Sequence, residues 1–197
     1  MVRVGLTVER LVEGGAELAD EIGFEHLTGA ALARKFGVKL ASLYSHLKNL
    51  DDLKSQIALL ALRQLADATA QAMAGRAGKD ALIALANAHR DYALRCPGRF
   101  TAARHPLSPE MAAASAGPQL AQLMRAVLHG YAVPESEQVH AIRFLGGFFM
   151  GYITLTSSSA FAHSAPDADV SWQRCLDALD TSLRQWPATP PLPTGNH

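Results

Sequence analysis

The sequence predicts an all-α protein of two helical parts, and three observations carry that expectation. Apolar residues recur at steps of three and four in the patterned stretches between Val8 and Trp186. Those stretches are punctuated as helices are, with Thr7, Thr28 and Asn49 as caps and Gly23, Gly37 and Gly130 as stops. A chain of 197 residues, 49% of them apolar, has enough material for one large core or two smaller ones. The expected division is a three-helix N-terminal domain over residues 1–50, a helical C-terminal domain over 51–186, and a proline-rich polar tail over 187–197 expected to be disordered.

The first expected helix carries Val8, Leu11, Val12, Gly15, Leu18, Ala19 and Ile22 at helical spacing. Next comes the stretch from Thr28 to Leu53, which reads as two short helices meeting at a glycine turn. Thr28 is a cap candidate, and Leu27 and Leu32 flank it at the spacing of a hydrophobic staple. Leu32, Ala33 and Phe36 share one face, with small Ala33 allowing the two axes to approach. Gly37 stands where a helix end favours positive φ, and Val38 follows as a buried plug. On the second helix Leu43 and Leu47 point inward, leaving Ala41, Ser42, Tyr44, Ser45, His46 and Lys48 outward. Small residues at a helix start let its backbone approach a major groove, and hydroxyl, imidazole, phenol and ammonium groups suit phosphates and base edges. The pattern therefore predicts a DNA-reading helix-turn-helix. A plain helical corner also shows a cap, a glycine and inward leucines, and stands as the alternative.

Thr28, Phe36-Gly37-Val38, Leu43-Tyr44, His46-Leu47-Lys48 and Asp51-Asp52-Leu53 lie in one register. Over about residues 6 to 60 they resemble the N-terminal domain of the TetR family of transcriptional regulators. Two positions depart: Leu47 stands where the family usually has phenylalanine, and Leu50 where it often has a phosphate-contacting lysine. With the outward face, the resemblance implies DNA contacts by Thr28, Lys39, Ala41, Ser42, Tyr44, Ser45, His46 and Lys48.

Residues 50–74 read as a long helix capped by Asn49, with Asp51 and Asp52 in its first turn and an all-round apolar stretch Ile57–Leu62 that links the two domains. Helices follow over about Asp80–Arg95, ended by Cys96-Pro97-Gly98, and over about Gln119–His129; between them prolines leave room only for short helices. A long helix from near Pro134 to about Ser159 contains Gly146, Gly147 and Gly151. Each glycine there costs about 1 kcal/mol against alanine, so a close approach by another helix is expected. In the last helix, Trp172, Leu176, Leu179, Leu183 and Trp186 alternate steps of four and three, as in an a/d seam. This half resembles the ligand-binding domain of TetR-like regulators, which implies a homodimer built on the last two helices of each subunit and an effector inside each subunit. The expected interface is Gly147, Gly151, Trp172, Leu176, Leu179 and Leu183. The expected pocket for a small apolar or amphipathic effector is His89, Tyr92, Phe100, His105, Met124, Phe148 and Tyr152, although each of these also suits an ordinary core position.

Lys plus Arg balances Asp plus Glu at 18 each, so any affinity for nucleic acid must come from local clustering. Arg34, Lys35, Lys39, Lys48 and Lys54 supply such a cluster. Cys96 and Cys175 lack metal-ligand spacing, which suggests reduced thiols in a cytoplasmic protein. His129, His140 and His163 share no one-turn spacing, so no metal is expected. No nucleophile elbow or other catalytic motif is present, and no cofactor is expected. The apolar run Phe144–Leu155 is too short to span a membrane. The combined expectation is a non-enzymatic, ligand-responsive repressor that binds double-stranded operator DNA as a homodimer. A helical enzyme or small-molecule carrier is the rival reading.

Overall fold

The computed structural model describes residues 6–187; the expected tail lies outside them from residue 188 onward. Ten helices follow one another: α1 (Val8–Ile22), α2 (Gly29–Phe36), α3 (Leu40–Tyr44), α4 (Leu50–Met73), α5 (Gly78–Arg95), α6 (Pro97–Ala102), α7 (Pro109–Ala114), α8 (Gly117–His129), α9 (Gln138–Ser157) and α10 (Ala168–Arg184). Short 3-10 turns at Phe24–His26 and Glu135–Glu137 complete the regular structure, and there is no strand among the described residues. The helices group into two compact units drawn differently from the division expected at residue 50. One unit joins the chain up to Ala68 with Asp91–Gln119; the other joins Thr69–Arg90 with the chain from Leu120.

In the first unit, local chemistry fixes the helix ends. Thr7 Oγ1 accepts from the Arg10 amide at 3.3 Å, and Asn49 Oδ1 accepts from the Asp52 amide at 2.7 Å, so both expected caps form. Leu11, Leu27, Leu32, Leu43, Leu53 and Ile57 close one core against Phe24. The unexpected member of this core is α6. Cys96-Pro97-Gly98 ends α5 as expected, but Pro97 also starts a new helix, a role its fixed φ and missing N–H allow. Gly98 brings α6 against α1 so closely that a Cβ there would lie 2.0 Å from the Ala19 carbonyl oxygen. Arg99 then donates from its amide to Asp20 Oδ1 at 2.8 Å and from Nε to Oδ2 at 2.7 Å. Its Nη1 donates to Gln64 Oε1 of α4 at 3.0 Å, an oxygen that also accepts from the Tyr92 hydroxyl at 3.1 Å.

The second unit is built on α9 and α10, with the early part of α5 and most of α8. Leu82, Leu85, Val127, Leu128, Leu145 and Phe149 are buried in it. Trp172 is fully buried and donates from Nε1 to Asn87 Oδ1 at 2.8 Å, while Arg90 lies over its ring and pairs with Asp169. Trp172, Leu176, Leu179 and Leu183 are 0%, 1%, 4% and 1% exposed in the single chain, so the chain itself already covers this seam. A Cβ at Gly146, Gly147 or Gly151 of α9 would meet nothing within 4 Å among the described residues of the single chain.

Candidate nucleic-acid interface

The residues expected to read DNA lie on the corner formed by α2 and α3. Thr28 takes an extended conformation and its Oγ1 accepts from the Ala31 amide at 3.1 Å, while Leu27 and Leu32 are buried on either side of that cap. Gly37 closes α2 in the left-handed region at φ 64°, ψ 33°, and the Val38 amide returns to the Ala33 carbonyl at 3.0 Å. These bonds satisfy the helix end and set the direction in which the chain enters α3.

Regular α3 is shorter than expected and ends at Tyr44. The Leu47 amide still reaches the Leu43 carbonyl at 3.0 Å, and the Ser45 hydroxyl donates back to the Ser42 carbonyl at 2.8 Å, so a final turn continues beyond it. Leu43 and Leu47 are buried as expected, and Lys39, Ala41, Ser42, Tyr44, Ser45, His46 and Lys48 are all exposed. The tyrosine ring leans back over the start of α2: a Cβ at Gly29 would lie 2.9 Å from the Tyr44 hydroxyl and 3.0 Å from Leu40 Cδ1. Gly29 is thus a positioning residue absent from the sequence-based set. Its only signal in sequence is a glycine directly after the Thr28 cap. The Tyr44 hydroxyl, the Thr28 cap and the first amides of α2 converge there, an arrangement suited to an anion.

The basic cluster is smaller than its sequence. Lys35 turns toward α1 and pairs with Glu21 at 2.8 Å and Glu17 at 3.3 Å; hydrogen bonding to Glu21, opposed by partial burial, raises its pKa. Lys54 lies 5.3 Å from the centre of the Phe24 ring. Arg34, Lys39 and Lys48 have no ion-pair partner among the described residues.

The seven expected effector residues are divided between the units. In the first, Tyr92 and Phe100 are buried, the tyrosine hydroxyl being held by Gln64, and burial pushes its pKa up. His105 sits edge-on to Phe24 with Nε2 3.5 Å from Asp51. In the second, the buried His89 ring has Nδ1 2.8 Å from the Leu85 carbonyl, as in the neutral tautomer that donates there, and leans on Phe149. Burial lowers its pKa, and the Leu85 bond offsets part of that shift. Phe148 stacks on Trp172 at 5.7 Å, and Tyr152 packs on both while donating to the Ala168 carbonyl at 2.6 Å. Met124 is half-buried on α8. Among the described residues, no group of three or more His, Cys, Asp or Glu side chains is placed to hold a metal ion, and no helix is long and apolar enough to cross a membrane.

Residues 82–179 match the family model described as the tetracyclin repressor-like C-terminal domain. Across 187 residues the chain is 32% identical to YobS of Bacillus subtilis, an HTH-type transcriptional regulator, covering 92% of this chain and 91% of that one. A second HTH-type transcriptional regulator, from Mycobacterium tuberculosis, is 32% identical over 167 residues, covering 83% and 76%. The fold is shared with a TetR variant of Acinetobacter baumannii in complex with minocycline, at a TM-score of 0.70 and 20% identity over 94% of this chain and all of that one. It is shared too with the TetR-family regulator PfmR of Thermus thermophilus, at 0.64 and 22% over 95% of this chain and all of that one. With its capped reader corner and its helical C-terminal half, the chain belongs to the TetR family of transcriptional regulators.

Proposed function

We propose that this regulator is a homodimeric repressor that holds a pseudo-palindromic operator and releases it when a small apolar or amphipathic molecule binds its C-terminal part. It acts by binding in the cytoplasm and not by catalysis. The observation that carries the reading is the exposed row of α3 on its rigid corner: Ala41 and Ser42 lie against base edges, and Tyr44, Ser45, His46, Lys39 and Lys48 reach phosphates or groove edges. Thr28 and the Tyr44 hydroxyl share a phosphate at the start of α2. Half-sites about 34 to 36 Å apart require two readers. The second copy sits on the open face of α9, where Gly147 and Gly151 have free space above them and Phe144 and Leu155 are exposed apolar neighbours. An effector is supported by the relative that carries minocycline and by the aromatic set around Phe148, Tyr152 and Trp172.

The test is an electrophoretic shift screen of the intergenic DNA beside the chain's own gene. A specific, salt-sensitive shift is expected. Lys48→Ala should weaken binding to all sequences similarly and flatten the salt slope by about one contact, whereas changes at Ser42 should alter sequence preference. If Tyr44→Ala and Lys48→Ala both bind like the parent, this face is not the reader.

A further inference from the structure

The first unit contains a cavity that the reading above does not use. It opens between α1 and α4 with a volume of about 540 Å³, within the range of about 300–1,000 Å³ typical of small-molecule sites. Its walls are chemically unequal. Val8 and Val12, one turn apart on α1, face Leu59 and Leu60 of α4, and these four give the groove an apolar floor; Val8 is 39% exposed. Along the α1 edge runs a second row, Glu9 and Glu13, also one turn apart. Neither carboxylate has an ion-pair partner among the described residues, in contrast to Glu17 and Glu21 further along the helix, which share Lys35; the Glu9 carboxylate accepts hydrogen bonds from its own amide and from Thr7, which hold its pKa below the ordinary value. The α4 edge offers Gln56 and a single cation, Arg63, which also has no ion-pair partner among the described residues.

We propose that this groove is a binding site for a small amphipathic amine, its apolar body on Val8, Val12, Leu59 and Leu60 and its ammonium between Glu9 and Glu13. Two carboxylates against one guanidinium favour a cation. Their placement on opposite edges orients the guest, with the ammonium toward α1 and any carbonyl or hydroxyl toward Gln56 and Arg63. The apolar floor excludes a bare metal ion or a simple polyamine, which would leave that surface uncovered. Both walls contribute to the core that carries the reader, since Leu11, Val12, Leu53 and Ile57 pack with Leu32 and Leu43. A guest here therefore acts on the reading unit directly. The inference rests on the groove alone and stands whether or not the effector reading does.

The experiment uses the full chain without DNA and three probes of equal length: 4-phenylbutylamine, 4-phenylbutanol and 4-phenylbutanoate. Saturable binding of the amine is expected at roughly millimolar probe or below, with methyl resonance shifts at Val8, Val12, Leu59 and Leu60. The carboxylate should bind more weakly than the alcohol. The double change Glu9→Gln with Glu13→Gln, both exposed and outside the core, should leave the chain folded, with a small drop in melting temperature from the lost Glu9 charge at the start of α1, and weaken the amine roughly tenfold while leaving the alcohol unchanged. Equal binding of amine and carboxylate, unchanged amine affinity in the double variant, or methyl shifts elsewhere would each overturn the site. Amine binding that disappears as protein concentration rises would also overturn it, because a second copy would then be the occupant.

Discussion

Gly98 and Gly147 are both helical glycines, yet alanine should act on them in opposite directions. At Gly98 the new methyl would overlap a backbone oxygen of α1, which cannot rotate away, so Gly98→Ala should cost at least the roughly 1–3 kcal/mol typical of overpacking. Urea unfolding of the two proteins measures it. At Gly147 nothing lies within 4 Å, so Gly147→Ala should stabilise the isolated chain by up to about 1 kcal/mol of helix propensity. If α9 is the dimer face, a larger residue there such as Gly147→Leu should weaken self-association in sedimentation while sparing the fold. His89 yields a pH prediction whose sign follows from burial. Its folded pKa lies below the ordinary 6.5, so the unfolded chain binds the extra proton first and stability is complete only above that value. As pH falls from 6.5 through the folded pKa, this contribution is lost. Thermal melts across that window should show a steeper acid loss for the parent than for His89→Gln. Equal slopes would mean that the imidazole charges in place.

At the scale of elements, Asp20, Arg99 and Gln64 tie α1, α6 and α4 together through one guanidinium. The Asp20 and Arg99 side chains are only 14% and 22% exposed, so Arg99→Met would leave a half-dehydrated carboxylate without its main partner. The expected loss is about 2 kcal/mol, against about 1 kcal/mol for Tyr92→Phe, which removes a neutral hydrogen bond to the same glutamine. Denaturant melts of both variants check the order. The helices themselves were legible in the sequence because their ends are written locally: Thr7, Thr28 and Asn49 cap, and Gly23 and Gly37 stop. The docking of α6 was not, because it joins residues 79 apart and Pro97-Gly98 reads locally as a break. The α10 seam taught a related lesson. Its spacing announces that Trp172, Leu176, Leu179 and Leu183 are covered, but periodicity does not say which chain covers them. The outward row of α3 was legible, whereas Gly29 beneath Tyr44 was not, since a close approach leaves no periodic trace.

For the whole molecule, the proposed function ties operator binding and effector binding together by one coupling free energy, which must be reciprocal. If an effector changes operator affinity by the roughly 5- to 150-fold typical of couplings of about 1–3 kcal/mol, operator must change effector affinity by the same factor. Calorimetry of a candidate ligand with and without operator measures both directions; equal ligand affinity in the two titrations would remove effector control. The reader itself is assembled from two stretches of chain, the first ending at Ala68 and the second running from Asp91 to Gln119. Its inheritance is constrained accordingly. A hybrid regulator made by exchanging residues 1–50 with a relative would set a foreign α1 against the native α6, and Ala19, Asp20, Gly98 and Arg99 would meet partners they were not matched to. DNA specificity in this chain is therefore portable only together with α6, a short helix that follows α3 and the whole of α4 and α5 in the sequence, and drift in either piece must be answered in the other.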